Sequence, residues 1–198
     1  MLTRTRWLPV VALVWSALLV LGCGTAAGEE PEVVLVNLDD AGAAAAWTTL
    51  NDPVMGGKST ARIDFADGGL VFSGNISLEN NGGFASARGP QDPDIGRRAA
   101  GATSLGVRAL GDGRTYLLKV GIAGQPWSYI QRFVTEAGVS RRYELPVETF
   151  APVGMRLAPA PEAPQTLDPS GISQVSIYIL DNQQGPFDIT VSTIYATS

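Results

Sequence analysis

The chain has 198 residues, of which 45% are hydrophobic and 17% are charged, and its net charge is −5. This length is enough for one domain with a sizeable core, and the acidic balance argues against nucleic acid as a partner. The sequence has no histidine and one cysteine, which excludes Ser-His-Asp and Cys-His catalytic sites, zinc sites with imidazole ligands and an internal disulfide.

The N-terminus has the pattern of a secretory signal. Arg4 and Arg6 precede a mainly apolar stretch from Trp7 to Leu21, which is short for a membrane span. The stretch ends in Val20-Leu21-Gly22-Cys23, which resembles a bacterial lipobox, where the cysteine becomes the lipidated first residue of the mature protein. The alternative is an ordinary signal peptide with an incidental cysteine.

We therefore predict a lipoprotein signal peptide at 1–22, a lipidated Cys23 with a tether that extends to residue 32, and a folded domain from 33 to 198. Acylated Cys23 would hold the protein in the lipid bilayer of the cell membrane or outer membrane, on the extracytoplasmic side. Loss of the signal removes two of the 14 basic residues, which leaves 12 against 19 acidic ones and a net charge of −7.

Beyond the tether, the sequence predicts β structure almost throughout. One helix-like patch, from Ala41 to Thr48, contains a run of alanines. Apolar and polar residues alternate in Tyr116–Val120 and in Phe187–Val191, which is typical of strands with one buried face. The proline-rich stretch from Ala151 to Pro169 predicts a long surface loop without a core contribution. The predicted strands are Val33–Leu38, Ala61–Phe65, Leu70–Phe72, Ser104–Leu110, Tyr116–Ile122, Ser128–Val134, Val175–Leu180 and Phe187–Tyr195. Many short strands with frequent turn residues indicate an all-β sandwich or barrel of antiparallel strands.

Two glycine-rich runs stand out in the first half of the domain, Asn51–Ser59 and Asn80–Phe84. Each combines a glycine pair with Asn or Asp side chains, which bond local backbone amides and close tight turns. We predict that the two runs pack against one another at one end of the sandwich, with the carboxylate of Asp52 capping buried amides. Met55 is interpreted as a core filler rather than a ligand. The alternative for both runs is a functional site.

Two further places are candidates for ligand binding. Trp127 and Tyr129 follow Gly124-Gln125-Pro126 and could form an aromatic platform for a sugar ring or a protein, with burial as the alternative. Asp181 opens the polar run Asp181–Gln184, which could offer oxygens to a calcium ion, although its spacing matches no specific calcium loop. We predict neither a metal nor a cofactor.

The remaining catalytic arrangement would be two carboxylates that face each other across a cleft, as in glycosidases. Carboxylates in turn-rich sequence more often form turns or remain solvated. No phosphate-binding loop or dinucleotide motif is present, because neither glycine run opens a predicted helix. The sequence therefore predicts a protein that is not an enzyme, and the carboxylates considered are Asp52, Glu79, Asp181 and Asp188.

A longer pattern resembles a known family. Trp47, followed by the run from Asn51 to Ser59, is similar to the signature of the complex I intermediate-associated protein 30 family, in which a Trp precedes Asn-Asp-x-Val-Met-Gly-Gly-x-Ser. The similarity extends from about Leu38 to Ile194, and the segment Val153–Arg156 departs from the family pattern. The residues that carry the first motifs are Trp47, Asn51, Asp52, Met55, Gly56, Gly57, Ser59, Asn80, Gly82, Gly83, Phe84 and Arg88.

The resemblance implies a galactose-binding-like jelly roll, with two antiparallel sheets packed face to face. Members of the family are known as assembly factors for respiratory complex I in mitochondria, and none is an established enzyme. The leading hypothesis is therefore a non-catalytic, membrane-tethered module that binds a protein partner and helps a membrane or envelope complex to assemble. The alternative is a carbohydrate-binding lipoprotein, which the fold alone suggests.

Overall fold

The computed structural model describes residues 31–52 and 56–198. The predicted signal peptide, Cys23 and Met55 lie outside these residues. Twelve strands dominate the described part of the chain, together with two short helices, α1 (Ala41–Ala45) and α2 (Asp94–Ala99). The strands are β1 (Val33–Asn37), β2 (Thr48–Asn51), β3 (Thr60–Ala66), β4 (Gly69–Ile76), β5 (Ala85–Arg88), β6 (Ser104–Leu110), β7 (Thr115–Ile122), β8 (Ser128–Val134), β9 (Ser140–Pro146), β10 (Ala151–Val153), β11 (Ile172–Ile179) and β12 (Gly185–Thr197). Among the described residues, no helix is long and apolar enough to span a bilayer.

The strands form two antiparallel sheets. Sheet 1 has the order β3-β4-β12-β6-β9, and β1 pairs with the second half of β12. Sheet 2 has the order β10-β8-β7-β11-β5-β2. Strand β12, with 13 residues, is long enough to pair with β4 through its first half and with β1 through its second half, while β6 lies on its other edge.

The core lies between the two sheets because alternate residues of each strand face inward. In β12, Phe187, Ile189 and Val191 are buried in the core, and in β7 Tyr116 and Leu118 are fully buried there. This pattern follows from the two-residue period of a strand. The predicted all-β sandwich is confirmed, and so is the core-facing set of the predicted alternation, whereas Leu117 in β7, predicted to face water, is fully buried on the outer face.

Several element boundaries differ from the prediction. Helix α1 ends at Ala45 rather than Thr48, because the chain enters β2 immediately after Trp47. The carboxylate of Asp40 caps its first turn by accepting a hydrogen bond from the Ala43 amide at 3.0 Å. Helix α2 and the strands β2, β5, β9 and β10 were not predicted, because their sequences are short or polar.

The expectation that residues 151–169 form a loop without a core contribution is wrong. The segment begins with β10, which pairs with β8. Prolines prevent a helix but leave the apolar side chains between them free to pack. The segment therefore covers one edge of the sandwich, with Val153, Ala160, Ala163 and Leu167 all less than 5% exposed.

Candidate ligand-binding groove

The two glycine-rich runs meet at the carboxylate of Asp52, which is completely buried. It accepts hydrogen bonds from the Ser59 amide at 2.8 Å, the Gly83 amide at 2.6 Å and the Phe84 amide at 3.2 Å, and one more from the Ser59 hydroxyl. Burial by itself raises the pKa of Asp52, but these four hydrogen bonds together hold it below its usual value. Asp52 therefore fastens the second run to the first.

Further contacts join the same two runs. Asn80 donates from Nδ2 to the carbonyl of Gly56 at 3.2 Å, and Lys58 forms an ion pair with Glu79. Gly56 has φ of +90° and Gly83 has φ of +129°, which are conformations that favour glycine. The expected packing of one run against the other is present in the structure.

The other motif residues also have structural contacts. Trp47 is 5% exposed and packs in the core, and Asn51 ends β2 opposite Ala85. A Cβ on Gly57 would overlap the Asp52 side chain, and one on Gly82 would lie 2.8 Å from Asp52 Oδ2. These glycines leave room for the buried carboxylate.

Of the two alternatives for Trp127 and Tyr129, the structure shows burial and not an aromatic platform. Tyr129 is 2% exposed, and its hydroxyl donates to the carbonyl of Pro164 at 2.9 Å. Trp127 is half-buried and packs against the core. The reason is the strand period, because Trp127 and Tyr129 lie two residues apart and both point to the inner face of sheet 2.

We expect Tyr129→Phe to lower the free energy of unfolding by about 1 kcal/mol, since it removes one buried hydrogen bond and leaves the Pro164 carbonyl without it. Tyr143→Phe is a matched control, because the contact of the Tyr143 hydroxyl with the described residues is a long one, 3.4 Å from the Glu136 amide. Urea unfolding of the two variants measures the difference. Unchanged stability of Tyr129→Phe together with a loss of ligand binding would restore the platform interpretation.

Asp181 does not offer free oxygens. Arg132 donates from Nε to Asp181 Oδ2 at 2.7 Å and from Nη2 to Oδ1 at 2.8 Å. This bidentate pair lowers the pKa of Asp181. Among the described residues, no group of three or more Asp or Glu side chains is arranged to hold a metal ion, so the calcium alternative has no support from the described residues.

A groove of about 600 Å³ crosses the outer face of sheet 2. Its floor consists of side chains from β5, β11, β7 and β8 that face away from the core. The register brings Arg88, Ser176, Lys119 and Ile130 into one row across the sheet. The residues that line the groove are Leu50, Phe84, Arg88, Lys119, Pro126, Ser128, Ile130, Arg132, Gly154, Met155, Arg156, Leu157, Tyr178 and Leu180.

Two cationic side chains of the groove lie close to Tyr178. Its ring is buried, with the Arg88 guanidinium carbon and the Lys119 Nζ each 5.8 Å from the ring centroid. Arg88 also donates from Nη2 to the Tyr178 hydroxyl at 2.7 Å. The Arg88 Nε is buried and has no hydrogen-bond partner among the described residues. The Tyr178 ring thus interacts with two cations at the floor of the groove.

The groove also has an apolar part. Leu117, Ile130, Val153 and Tyr178 form a second hydrophobic cluster on this outer face, separate from the main core. The short turn Met155–Leu157 forms one wall, and both Arg156 and Leu157 have positive φ values, of 56° and 59°. This turn lies in the segment where the sequence departs from the family pattern.

Sequence reasoning missed most of this groove. Of its lining residues, only Phe84 and Arg88 were named as motif residues. One residue in the sequence indicated a polar feature on this face, because Lys119 lies in the centre of a mainly apolar strand. Its significance depends on the strand order, which brings Lys119 close to Arg88 and Tyr178.

Comparison with known proteins identifies the family and the fold. Residues 36–191 match the sequence profile described as complex I intermediate-associated protein 30. The chain belongs to that family. No sequence among curated proteins matches this member of the complex I intermediate-associated protein 30 family.

Solved structures similar to this family member include carbohydrate-binding modules. The family 11 module of the cellulosomal cellulase Lic26A-Cel5E of Clostridium thermocellum has a TM-score of 0.59 at 13% identity, over 85% of this chain and 96% of the module. The Clostridium thermocellum family 11 module in complex with a β-1,3-1,4-mixed-linked tetrasaccharide has a TM-score of 0.57 at 13% identity, over 84% and 95%. An agarase, AgWH50C, matches with a TM-score of 0.51 at 12% identity, over 84% of this chain and 24% of the agarase. The galactose-binding-like sandwich is therefore the fold of this chain.

Proposed function

We propose that this member of the complex I intermediate-associated protein 30 family is a non-catalytic, membrane-tethered module whose groove binds a segment of a partner protein and so assists assembly or stability of a membrane or envelope complex. The observation that carries the proposal is the groove on sheet 2, which combines apolar and aromatic surface with arginine side chains, and both are enriched in protein interfaces.

The state of the carboxylates supports a non-catalytic role. Asp52 accepts four hydrogen bonds, Glu79 forms an ion pair with Lys58, and Asp181 forms one with Arg132. Burial and the negative charge of Asp112 raise the pKa of Asp188, but Asp112 itself accepts hydrogen bonds from the Tyr116 hydroxyl at 3.0 Å and the Asp188 amide at 2.9 Å. Asp52, Glu79 and Asp181 are thus engaged in contacts within the fold, and Asp112, which lines a second cavity together with Asp188, also accepts hydrogen bonds from the fold.

The position of Glu32 supports a tether on the side opposite the groove. Glu32 lies against the outer face of sheet 1, where Arg108 donates to both of its carboxylate oxygens at 3.1 Å and Arg142 forms an ion pair with it. It comes nine residues after Cys23, a separation that an extended chain spans in about 30 Å. A lipid on Cys23 would therefore hold the domain within about 30 Å of the bilayer by a chain that joins it at sheet 1, opposite the groove.

We expect Cys23→Ser to release the protein from membranes or to leave it unprocessed, because the thioether that carries the acyl chains cannot form. Fractionation of cells into membrane and soluble parts, with the mass of the mature N-terminus, measures this. Processing and membrane retention equal to those of the unmodified protein would contradict the lipid tether.

A second candidate function is carbohydrate binding. The Clostridium thermocellum module with a bound tetrasaccharide has the same fold, which favours a glycan in a groove of this kind by analogy. The Tyr178 ring is poorly placed to stack on a neutral sugar, because it is buried and two cations already lie near it. Binding of mixed-linked glucan in affinity electrophoresis would support this second function.

Photo-crosslinking in intact membranes tests the leading function. A photoreactive amino acid in place of Met155, which is 83% exposed at the groove wall, is expected to capture one defined component of a membrane or envelope complex. The control is the same amino acid in place of Asn75, which is exposed on sheet 1. The same products from both positions, or none from Met155, would contradict a partner in the groove.

A further inference from the structure

We propose that the groove on sheet 2 recognises an extended, acidic and apolar segment of the partner protein, with carboxylates that bind Arg88, Lys119 and Arg156. This inference rests on the proposed function and names the chemistry of the segment that the groove would take.

The charge of the groove is opposite to that of the whole chain. Four cationic side chains line the groove, and its lining contains no Asp or Glu. Asp181 neutralises only Arg132. Within the described part of the chain, no carboxylate forms an ion pair with Arg88, Lys119 or Arg156. In a protein with a net charge of −5, an acidic ligand would be steered to this groove and away from the rest of the surface.

The buried edge of Arg88 adds a second observation. Its Nη2 is bound to the Tyr178 hydroxyl, whereas its Nε is buried without a hydrogen-bond partner. A buried donor without an acceptor is unfavourable. A ligand carboxylate that draws the Arg88 guanidinium a short way into the groove would supply the acceptor, and carboxylates match the fork of an arginine especially well.

The neutral polar groups that sugars need are scarce in the groove. Its lining contains no Asn, Gln, Asp or Glu, and Ser128 provides its only aliphatic hydroxyl. The Tyr178 hydroxyl already accepts a hydrogen bond from Arg88. Carbohydrate sites use such groups to fix hydroxyls, together with an exposed ring face. Apolar surface beside cations instead matches leucine-like and glutamate-like side chains of a peptide.

The spacing of the cations suits an extended peptide. Arg88 on β5 and Lys119 on β7 occupy the same row with one strand, β11, between them. Neighbouring strands are about 4.8 Å apart, so these two positions are separated by about 10 Å. A polyproline II segment repeats every three residues, over about 9 Å. Carboxylates at every third position of such a segment would therefore reach both cations.

The experiment uses the full-length lipoprotein in detergent and a labelled peptide of about four Glu-Pro-Leu repeats, which places a carboxylate at every third position. We expect saturable binding, measured by fluorescence anisotropy, that weakens about tenfold or more between about 50 mM and about 500 mM salt. Lys119→Gln and Arg156→Gln should each weaken binding about fivefold or more, whereas Arg62→Gln, an exposed cation on sheet 1, should leave it unchanged. Lys119→Glu should instead improve binding of a Lys-Pro-Leu peptide.

Several results would overturn the inference. A Gln-Pro-Leu peptide that binds as tightly as the glutamate peptide would show an apolar groove without charge recognition. No binding of the glutamate peptide, or tighter binding of polygalacturonate or mixed-linked glucan with the same sensitivity to Lys119→Gln, would assign the groove to a different ligand. Crosslinking from position 155 separates this failure from that of the proposed function. If the captured partner remains unchanged when Lys119 and Arg156 are both replaced by Gln, the protein-binding function stands and the acidic recognition is wrong.

Discussion

Replacing Asp52 with alanine is expected to lower the free energy of unfolding by about 3 kcal/mol. The carboxylate is fully buried and accepts four hydrogen bonds, three of them from backbone amides. Its loss leaves the Ser59, Gly83 and Phe84 amides without an acceptor, and unsatisfied buried donors cost about 1 to 3 kcal/mol each before relaxation or water entry reduces the loss. Asp39→Ala, at an exposed position before α1, is the control and should change stability by less than about 0.5 kcal/mol.

The same carboxylate predicts how stability depends on pH. The pKa of Asp52 is lowered in the folded state. The stabilisation that its ionised form gives is therefore complete above the unfolded pKa of about 3.9, and it is lost as the pH falls through the lower folded pKa. Asp52→Asn cannot titrate and should therefore lose less stability than the unmodified protein between neutral pH and about pH 2. If urea unfolding shows the same loss of stability at low pH for both proteins, Asp52 does not contribute to the acid sensitivity.

Replacing Gly57 with alanine is the second substitution with a large expected effect, a loss of about 2 to 3 kcal/mol. The new methyl group would overlap the buried carboxylate of Asp52, with Cβ of that residue only 2.8 Å away. Either Asp52 moves and loses amide hydrogen bonds, or the first glycine run shifts. Thermal and urea unfolding measure the loss.

Gly56 provides the matched control one residue earlier. A Cβ at this position meets none of the described residues within 4 Å, so we attribute the cost of Gly56→Ala to its φ of +90°. That strain is worth about 1 kcal/mol. If Gly57→Ala were no more destabilising than Gly56→Ala, the close approach to Asp52 would not explain the glycine at position 57.

The sandwich could be predicted where strand sequences alternate strongly. Phe187–Val191 shows its buried face directly in the sequence, and so does Tyr116–Val120. Strand β5 could not be found in this way, because Ala85-Ser86-Ala87-Arg88 has little β preference of its own and becomes a strand through pairing with β2 and β11. Strand β9 was hidden by its charged residues, which are tolerated because it lies at the edge of sheet 1.

The groove could not be predicted from the sequence for a related reason. Arg88 and Tyr178 are in hydrogen-bond contact but are separated by 90 residues, and only the strand order of sheet 2 brings them together. The glycine-rich runs were recognisable because their residues are close in sequence and their turn chemistry is local. Local turn chemistry in the sequence thus predicted the loops. The groove on sheet 2 is formed by long-range strand pairing, which the sequence does not show.

The alternation of the strands in sheet 2 has an evolutionary consequence. Side chains that line the groove, such as Lys119 and Ile130, alternate with side chains that hold the core, such as Leu118 and Tyr129. Natural variation on the groove side can therefore change the partner while the fold is retained. Within the family, we expect homologues with different partners to diverge in charge and size at Lys119, Arg156 and Tyr178, while the positions of Leu118 and Tyr129 remain apolar or aromatic.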